Sequence, residues 1–141
     1  MALHNLESIR IVLNPAHNAY EKSFHQNNGD WMNSCEKLLK LSSDEHLVLP
    51  GHGRPFSGLP RRLVQLIENH KAALKRIEEA LKVGPKTAVE LFKTIFKRDI
   101  NKREYMLALH EAVGHVNHLY KTGLVNRRIS QDGAFIFELI R

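Results

Sequence analysis

The chain has 141 residues, 43% of them hydrophobic, with 21 Lys and Arg against 15 Asp and Glu and a single cysteine. Those figures fit one soluble domain of ordinary size, or two small units sharing a core. One thiol excludes an internal disulfide, no run of about 18 apolar residues is present to span a membrane, and the first residues lack the basic-then-apolar order of an export signal, so a cytoplasmic location is expected.

The net charge of +6 is unevenly spread. Residues 1–53 carry 4 basic and 6 acidic side chains, net −2, whereas residues 54–141 carry 17 basic and 9 acidic, net +8. Five of the nine histidines precede residue 54, which calls for a test of metal binding by spacing.

In chain order, residues 8–13 read as a short strand stopped by Asn14 and Pro15, and residues 16–29 as a polar loop. A helix is expected from Asp30, whose carboxylate can cap the first turn, to Leu41, with Trp31, Cys35, Leu38 and Leu39 at helical spacing. Cys35 reads as a half-buried helix residue. Residues 46–49 form a short apolar strand that runs into Pro50, Gly51, His52, Gly53, Arg54 and Pro55. Two glycines around one histidine, with prolines on both sides, make a stiff loop able to take positive φ beside an imidazole held at a strand end.

After Gly58 a long helix is expected, with Pro60 in its first turn and Leu63, Leu66 or Ile67, His70, Leu74, Ile77 and Leu81 as its apolar stripe, stopping near Gly84 and Pro85. Thr87 and Glu90 stand at the spacing of a capping box and open a second helix that buries Val89, Leu91 or Phe92, Ile95 and Phe96. A third helix opens at Asn101 and runs to Thr122, with Gly123 as a left-handed stop. Its core face is expected to carry Lys102, Tyr105, Met106, Leu109, Val113, Val116 and Tyr120. Residues 124–129 and 134–139, joined by a turn at 130–133, read as a β-hairpin. Three helices and a hairpin follow the order of a winged helix.

His110, Glu111 and His115 resemble a zinc-protease helix, but that chemistry needs histidines four apart, about 40° around the axis. These are five apart, about 140°, so the imidazoles diverge and the protease reading fails. His115 and His118 lack a third ligand. His52, on its loop at a strand end, is the stronger candidate for a ligand, against the alternative of a histidine that only bonds its own loop. Arg103, Lys121, Arg127 and Arg128 are the candidate nucleic-acid contacts of a winged-helix module. The expected outward face of the third helix, with Arg103, Glu104, Leu107, Glu111, Gly114, His118 and Lys121, has zero formal charge, which disfavours groove binding.

The segment from Leu47 to Pro55, with Pro50, Gly51, His52 and Gly53 at its centre, resembles the C-terminal part of metallo-β-lactamase-fold hydrolases. The preceding Ser34, Lys37 and Leu38, the long helix after the loop, and the third helix and wing from Glu111 to Val125 extend the resemblance over about residues 30–141. It implies an α+β, mostly helical chain: a remnant of the αββα sandwich in residues 1–58, a connecting long helix at 59–83, and a winged-helix-like domain at 84–141. It also implies that His52 matches the last metal-binding histidine, which helps to hold the second of two zinc ions. Those ions make a bridging hydroxide that attacks ester, thioester, amide or phosphoester centres. The family's main motif, H-x-H-x-D-H, is missing: no two of the nine histidines are two apart. The chain therefore reads as the C-terminal third to half of a zinc-dependent hydrolase, a truncated reading frame or an expressed fragment, incompetent alone. A small-molecule substrate is expected for the full-length enzyme, and no membrane partner. Exposed apolar surface around Trp31 and Leu38 is expected to favour self-association.

Overall fold

The computed structural model describes residues 28–140. The strand expected at 8–13 and most of the loop expected at 16–29 lie outside the described residues. The described part is mostly helical with one small sheet, in the order α1 (Asn28–Leu41), α2 (Leu59–Val83), β1 (Lys86–Thr87), α3 (Phe92–Phe96), α4 (Tyr105–Lys121), β2 (Val125–Ile129) and β3 (Phe135–Leu139). Two compact units meet in sequence inside α2, between Asn69 and His70.

In the first unit α1 turns Trp31, Cys35, Leu38 and Leu39 to one side, as their spacing requires. Cys35, Val48, Leu59, Leu63 and Ile67 form its core, and Trp31, Leu38, Leu39 and Phe56 pack against them. Two expectations change here. Cys35 is completely buried rather than half-buried, and Trp31 and Leu38 join the core instead of forming an exposed patch. Burial pushes the Cys35 thiol up to about 11, with Glu36 adding to the shift. Asp30 lies inside the first turn of α1, where its carboxylate still complements the helix dipole; its carbonyl accepts the Ser34 hydroxyl at 2.8 Å.

The strand expected at 46–49 shrinks to a single antiparallel bridge between Val48 and Phe56. Val48 N–H donates to Phe56 O at 2.8 Å and Phe56 N–H to Val48 O at 3.1 Å. Pro50 has no N–H to extend this ladder, and Leu47 and Leu49 are exposed on either side of the buried Val48. Gly58, at φ +84, then turns the chain into α2, and its carbonyl accepts the Arg62 N–H at 3.2 Å.

In the second unit the stripe of α2 is as expected: Leu74, Ile77 and Leu81 are buried, with Ala73 beside them. The Thr87–Glu90 capping box forms reciprocally. Thr87 N–H donates to Glu90 Oε2 at 2.7 Å, and Glu90 N–H donates to Thr87 Oγ1 at 3.3 Å. The box caps a tight turn, in which Leu91 and Phe92 donate to carbonyls three residues back, and the α-helix proper starts only at Phe92. Leu91, Phe92 and Ile95 are buried as expected, whereas Val89 faces outward at 42% exposure. Arg76 from α2 donates Nε and Nη2 to Thr94 O and Ile95 O, both at 2.9 Å, which supplies donors to carbonyls at the C-terminal end of α3.

α4 corrects the largest expectation. Its buried residues are Ala108, Ala112, His115, Val116 and Leu119, while Tyr105, Met106 and Tyr120 are exposed. At about 100° per residue the true core face is rotated by roughly 90° from the expected one. Size misled the periodicity: small alanines, not the bulky Tyr105 and Met106, mark where this helix packs closely. Asn101 Oδ1 accepts the N–H groups of Arg103 and Glu104 at 3.0 and 3.1 Å ahead of the helix. At the other end Leu124 N–H reaches Leu119 O at 3.0 Å and Gly123 N–H reaches Tyr120 O at 3.1 Å, with Gly123 at φ +74; this pair of bonds is a Schellman stop.

β2 and β3 form the expected hairpin, with Val125 opposite Leu139 and Ile129 opposite Phe135. Its turn is closed by Ser130 N–H to Ala134 O at 2.8 Å. β1 adds a third strand on the far side of β3, giving the order β1-β3-β2. The sequence reading treated Thr87 only as a helix cap, and a two-residue strand carries no periodicity that could reveal it.

Candidate functional site

His52 sits at the middle of the segment closed by the Val48–Phe56 bridge. Two backbone hydrogen bonds fix the ends of this segment, and Val48 anchors it in the core at 0% exposure. Gly53 takes φ +97, the left-handed conformation that a side chain would strain, so the chain reverses directly after the imidazole. The loop residues from Gly51 to Pro55 are all exposed. The loop thus holds His52 outward on a rigid base. Among the described residues no three His, Cys, Asp or Glu side chains come together as a metal-binding group. A lone exposed imidazole does not fit the three or four protein ligands of a zinc site.

The other histidines do different work. His115 on α4 is 1% exposed. Its Nδ1 lies 2.8 Å from the Glu111 carbonyl, a contact that requires the proton on Nδ1. Nε2, then the bare nitrogen, is buried and has no hydrogen-bond partner among the described residues. The ring stacks on His70 of α2, with centroids 5.1 Å apart and planes 16° from parallel. Burial holds the His115 pKa far down, to about 4; the Glu111 carbonyl opposes that shift, and the positive fields of His70, His118 and Arg76 add to it. This is a neutral packing histidine. The His110 Nδ1 contacts the Met106 carbonyl of its own helix at 2.6 Å, so His110 and His115 each bond one turn back. The divergence expected from their spacing is borne out.

The four candidate nucleic-acid contacts do not converge. Arg103 precedes α4 and Lys121 closes it, while Arg127 and Arg128 are consecutive on β2 and so point to opposite faces of the hairpin. With the face of α4 corrected, its outward side centres on Met106, His110, Asn117 and Lys121, and Glu111 moves to the border. The glutamates therefore no longer argue against a groove, yet Lys121, already on the expected outward face, is the one lysine at the centre of the corrected face, which still lacks the dense basic stripe of a duplex reader. Sequence reading missed a further feature. The Arg127 guanidinium lies 4.6 Å from the Tyr120 ring centroid and 4.4 Å from that of Phe135. Strand alternation puts Arg127 and Phe135 on one face, but only the fold brings in Tyr120 from α4. The second unit also holds an open groove of about 720 Å³ lined by Lys75, Arg76, Glu79, Lys93, Thr94 and Lys97, where the Glu79 carboxylate is paired with Lys82 at 2.7 Å.

No helix among the described residues is long and apolar enough to cross a membrane. Residues 74–140 match the family model of the metallo-beta-lactamase-like C-terminal domain. No curated protein sequence matches the chain. Among solved structures, the chain is similar to a beta-lactamase domain protein from Burkholderia ambifaria, with 29% identity and a TM-score of 0.71 over 78% of this chain and 32% of that one. It is also similar to a metallo-beta-lactamase family protein from Thermus thermophilus, with 26% identity and a TM-score of 0.63 over 79% of this chain and 33% of that one. The chain thus spans about a third of the length of these proteins. With a C-terminal-domain match over the second unit and a shared fold over more than three quarters of its residues, the chain is a C-terminal part of a metallo-β-lactamase-fold protein.

Proposed function

We propose that this chain belongs to a cytoplasmic metallo-β-lactamase-fold hydrolase acting on a small-molecule substrate. In this reading residues 1–58 are part of the metal-bearing sandwich, residues 59–83 connect, and residues 84–141 are a winged-helix-like domain. The match of residues 74–140 to the C-terminal domain family carries the reading. The succession of helix, short strand, two helices and hairpin, with β1 beside β3, supports the winged-helix comparison.

His52 is proposed as one ligand of the enzyme's zinc pair. Its rigid, outward-facing loop supports that role; the absence of convergent partners among the described residues means that the described part of the chain supplies no complete site, and no hydrolytic step is assigned to its side chains. The test is a chimera in which residues 30–141 replace the matching part of the Burkholderia ambifaria protein. The chimera should retain bound zinc measured by mass spectrometry, and His52→Ala should lose about half of it, one ion of two, together with hydrolysis of thioester or phosphodiester substrates. Zinc content unchanged by His52→Ala rules out the ligand role. Zinc bound with no hydrolysis of any substrate class rules out the hydrolase assignment.

A second reading, that residues 84–141 serve as an interaction module, is favoured by the Arg127 contacts with Tyr120 and Phe135. In that module a protein partner, a second copy of the chain, or nucleic acid contacting Arg103, Lys121, Arg127 and Arg128 are alternative occupants.

A further inference from the structure

The outer end of the hairpin carries a guanidinium held between two aromatic rings. Antiparallel pairing places Val125, Arg127 and Ile129 on one face of the sheet with Leu139, Phe137 and Phe135 opposite them. At the base of this face Val125 and Phe137 are buried; towards the turn it opens, leaving Ile129 65% and Phe135 46% exposed. Tyr120, from the last turn of α4, is 41% exposed and meets Arg127 there. Two aromatic rings hold one guanidinium by its charge. The guanidinium has five N–H donors, and no hydrogen bond or ion pair engages them among the described residues. Carboxylates that could compete are directed elsewhere: Glu138 is on the opposite face by alternation, and Asp132 accepts the Ser130 hydroxyl in the turn.

We propose that Tyr120, Arg127, Ile129 and Phe135 form a docking patch for a protein segment that presents a carboxylate between apolar side chains, the carboxylate pairing with Arg127. The inference deepens the interaction-module reading and is independent of the hydrolase reading. Charge complementarity selects the acidic group: the patch holds one oriented cation and no anion, in a region of net +8, and a planar guanidinium matches a carboxylate through two parallel hydrogen bonds. The surrounding side chains select a protein over nucleic acid. Phosphate binding draws its strength from several cations along one track, whereas Arg128 faces away and Arg127 is ringed by Tyr, Phe and Ile, side chains of the kind that form the centres of protein interfaces.

The test uses the isotopically labelled 141-residue chain and follows the Arg127 Nε–H and Ile129 methyl resonances during titration. The probes are a twelve-residue peptide with one Glu between Val and Leu residues, the same peptide with Gln in place of Glu, and a twelve-residue oligothymidylate. The Glu peptide should shift both resonances, and its affinity should fall about tenfold with the Gln peptide and with Arg127→Ala. Arg127→Lys should give an intermediate loss, because it keeps the charge and removes the planar fork. Unchanged Val125 and Phe137 resonances in the variants show that the hairpin remains folded. Equal binding of the Gln peptide, equal binding by Arg127→Ala, or no shift with the Glu peptide overturns the proposal. Shifts with the oligothymidylate alone, or an Arg127-dependent dimer in sedimentation, overturn the acidic peptide while keeping an interaction module. If neither peptide, oligothymidylate nor self-association engages the patch, the module reading fails too.

Discussion

At the residue scale, the histidines among the described residues separate by environment rather than by number. His52 is exposed on a braced loop; His115 is buried, neutral and stacked on His70. That burial has a consequence for acid stability. The folded pKa of His115, about 4, lies below its ordinary value of 6.5, so at pH 7 the folded state is neutral and the unfolded state is mostly so. As pH falls below 6.5 the unfolded chain takes it up first, and stability drops until the folded state is also protonated near pH 4. The loss approaches roughly 3 kcal/mol at most, given about 1.4 kcal/mol per pKa unit. Urea unfolding from pH 7 to 4.5 should show this decline, and His115→Leu should flatten it; an unchanged slope in the variant places the acid sensitivity elsewhere. Cys35 is the corresponding prediction for the first unit. Its buried thiol, raised to about 11, should react with a disulfide reagent at least a hundredfold more slowly in the native chain than in urea, since the thiolate is the attacking species. Spacing alone placed Cys35 on the apolar side of α1, but complete burial depends on Val48 and Leu63 packing over it, contacts that no single helix pattern contains.

At the scale of elements, the ends of helices were more legible than their faces. Asn101, Gly123 and the Thr87–Glu90 pair each act locally, through bonds to backbone groups a few residues away; Gly123 makes the expected stop, whereas Asn101 and the Thr87–Glu90 pair close turns ahead of the helices they were expected to open, which start at Tyr105 and Phe92. The core face of α4 was misread because its packing uses Ala108 and Ala112, residues whose small size gives periodicity little to detect. β1 was invisible for a related reason: it exists only because β3 offers it an edge. Two substitutions measure the local devices. Gly123→Ala should cost about 1 kcal/mol, because alanine is strained at φ +74 although no atom crowds the added carbon. Thr87→Ala should also cost about 1 kcal/mol through loss of the reciprocal cap. Both are read as shifts in urea midpoint with an unchanged slope; destabilisation below about 0.3 kcal/mol in either would mean that the bond seen there contributes nothing to folding.

At the scale of the whole molecule, the division of charge and the site tell one story. The acidic N-terminal part of the sequence contains the loop that presents His52, and the basic remainder contains the domain matched by the C-terminal family model. The Pro-Gly-His-Gly loop was legible because proline and glycine dictate backbone shape directly, whereas the bridge that closes it pairs Val48 with Phe56 across eight residues and leaves no period in the sequence. The central proposal is that His52 is a single zinc ligand; among the described residues no further ligands join it. The most direct test is calorimetric zinc titration of the purified 141-residue chain, with thioester and phosphodiester hydrolysis followed on the same sample. The expected result is no stoichiometric binding tighter than about 10 μM and no turnover, because one imidazole lacks the further ligands that zinc requires. Two equivalents of zinc bound at nanomolar affinity, lost with His52→Ala and accompanied by hydrolysis, would contradict it.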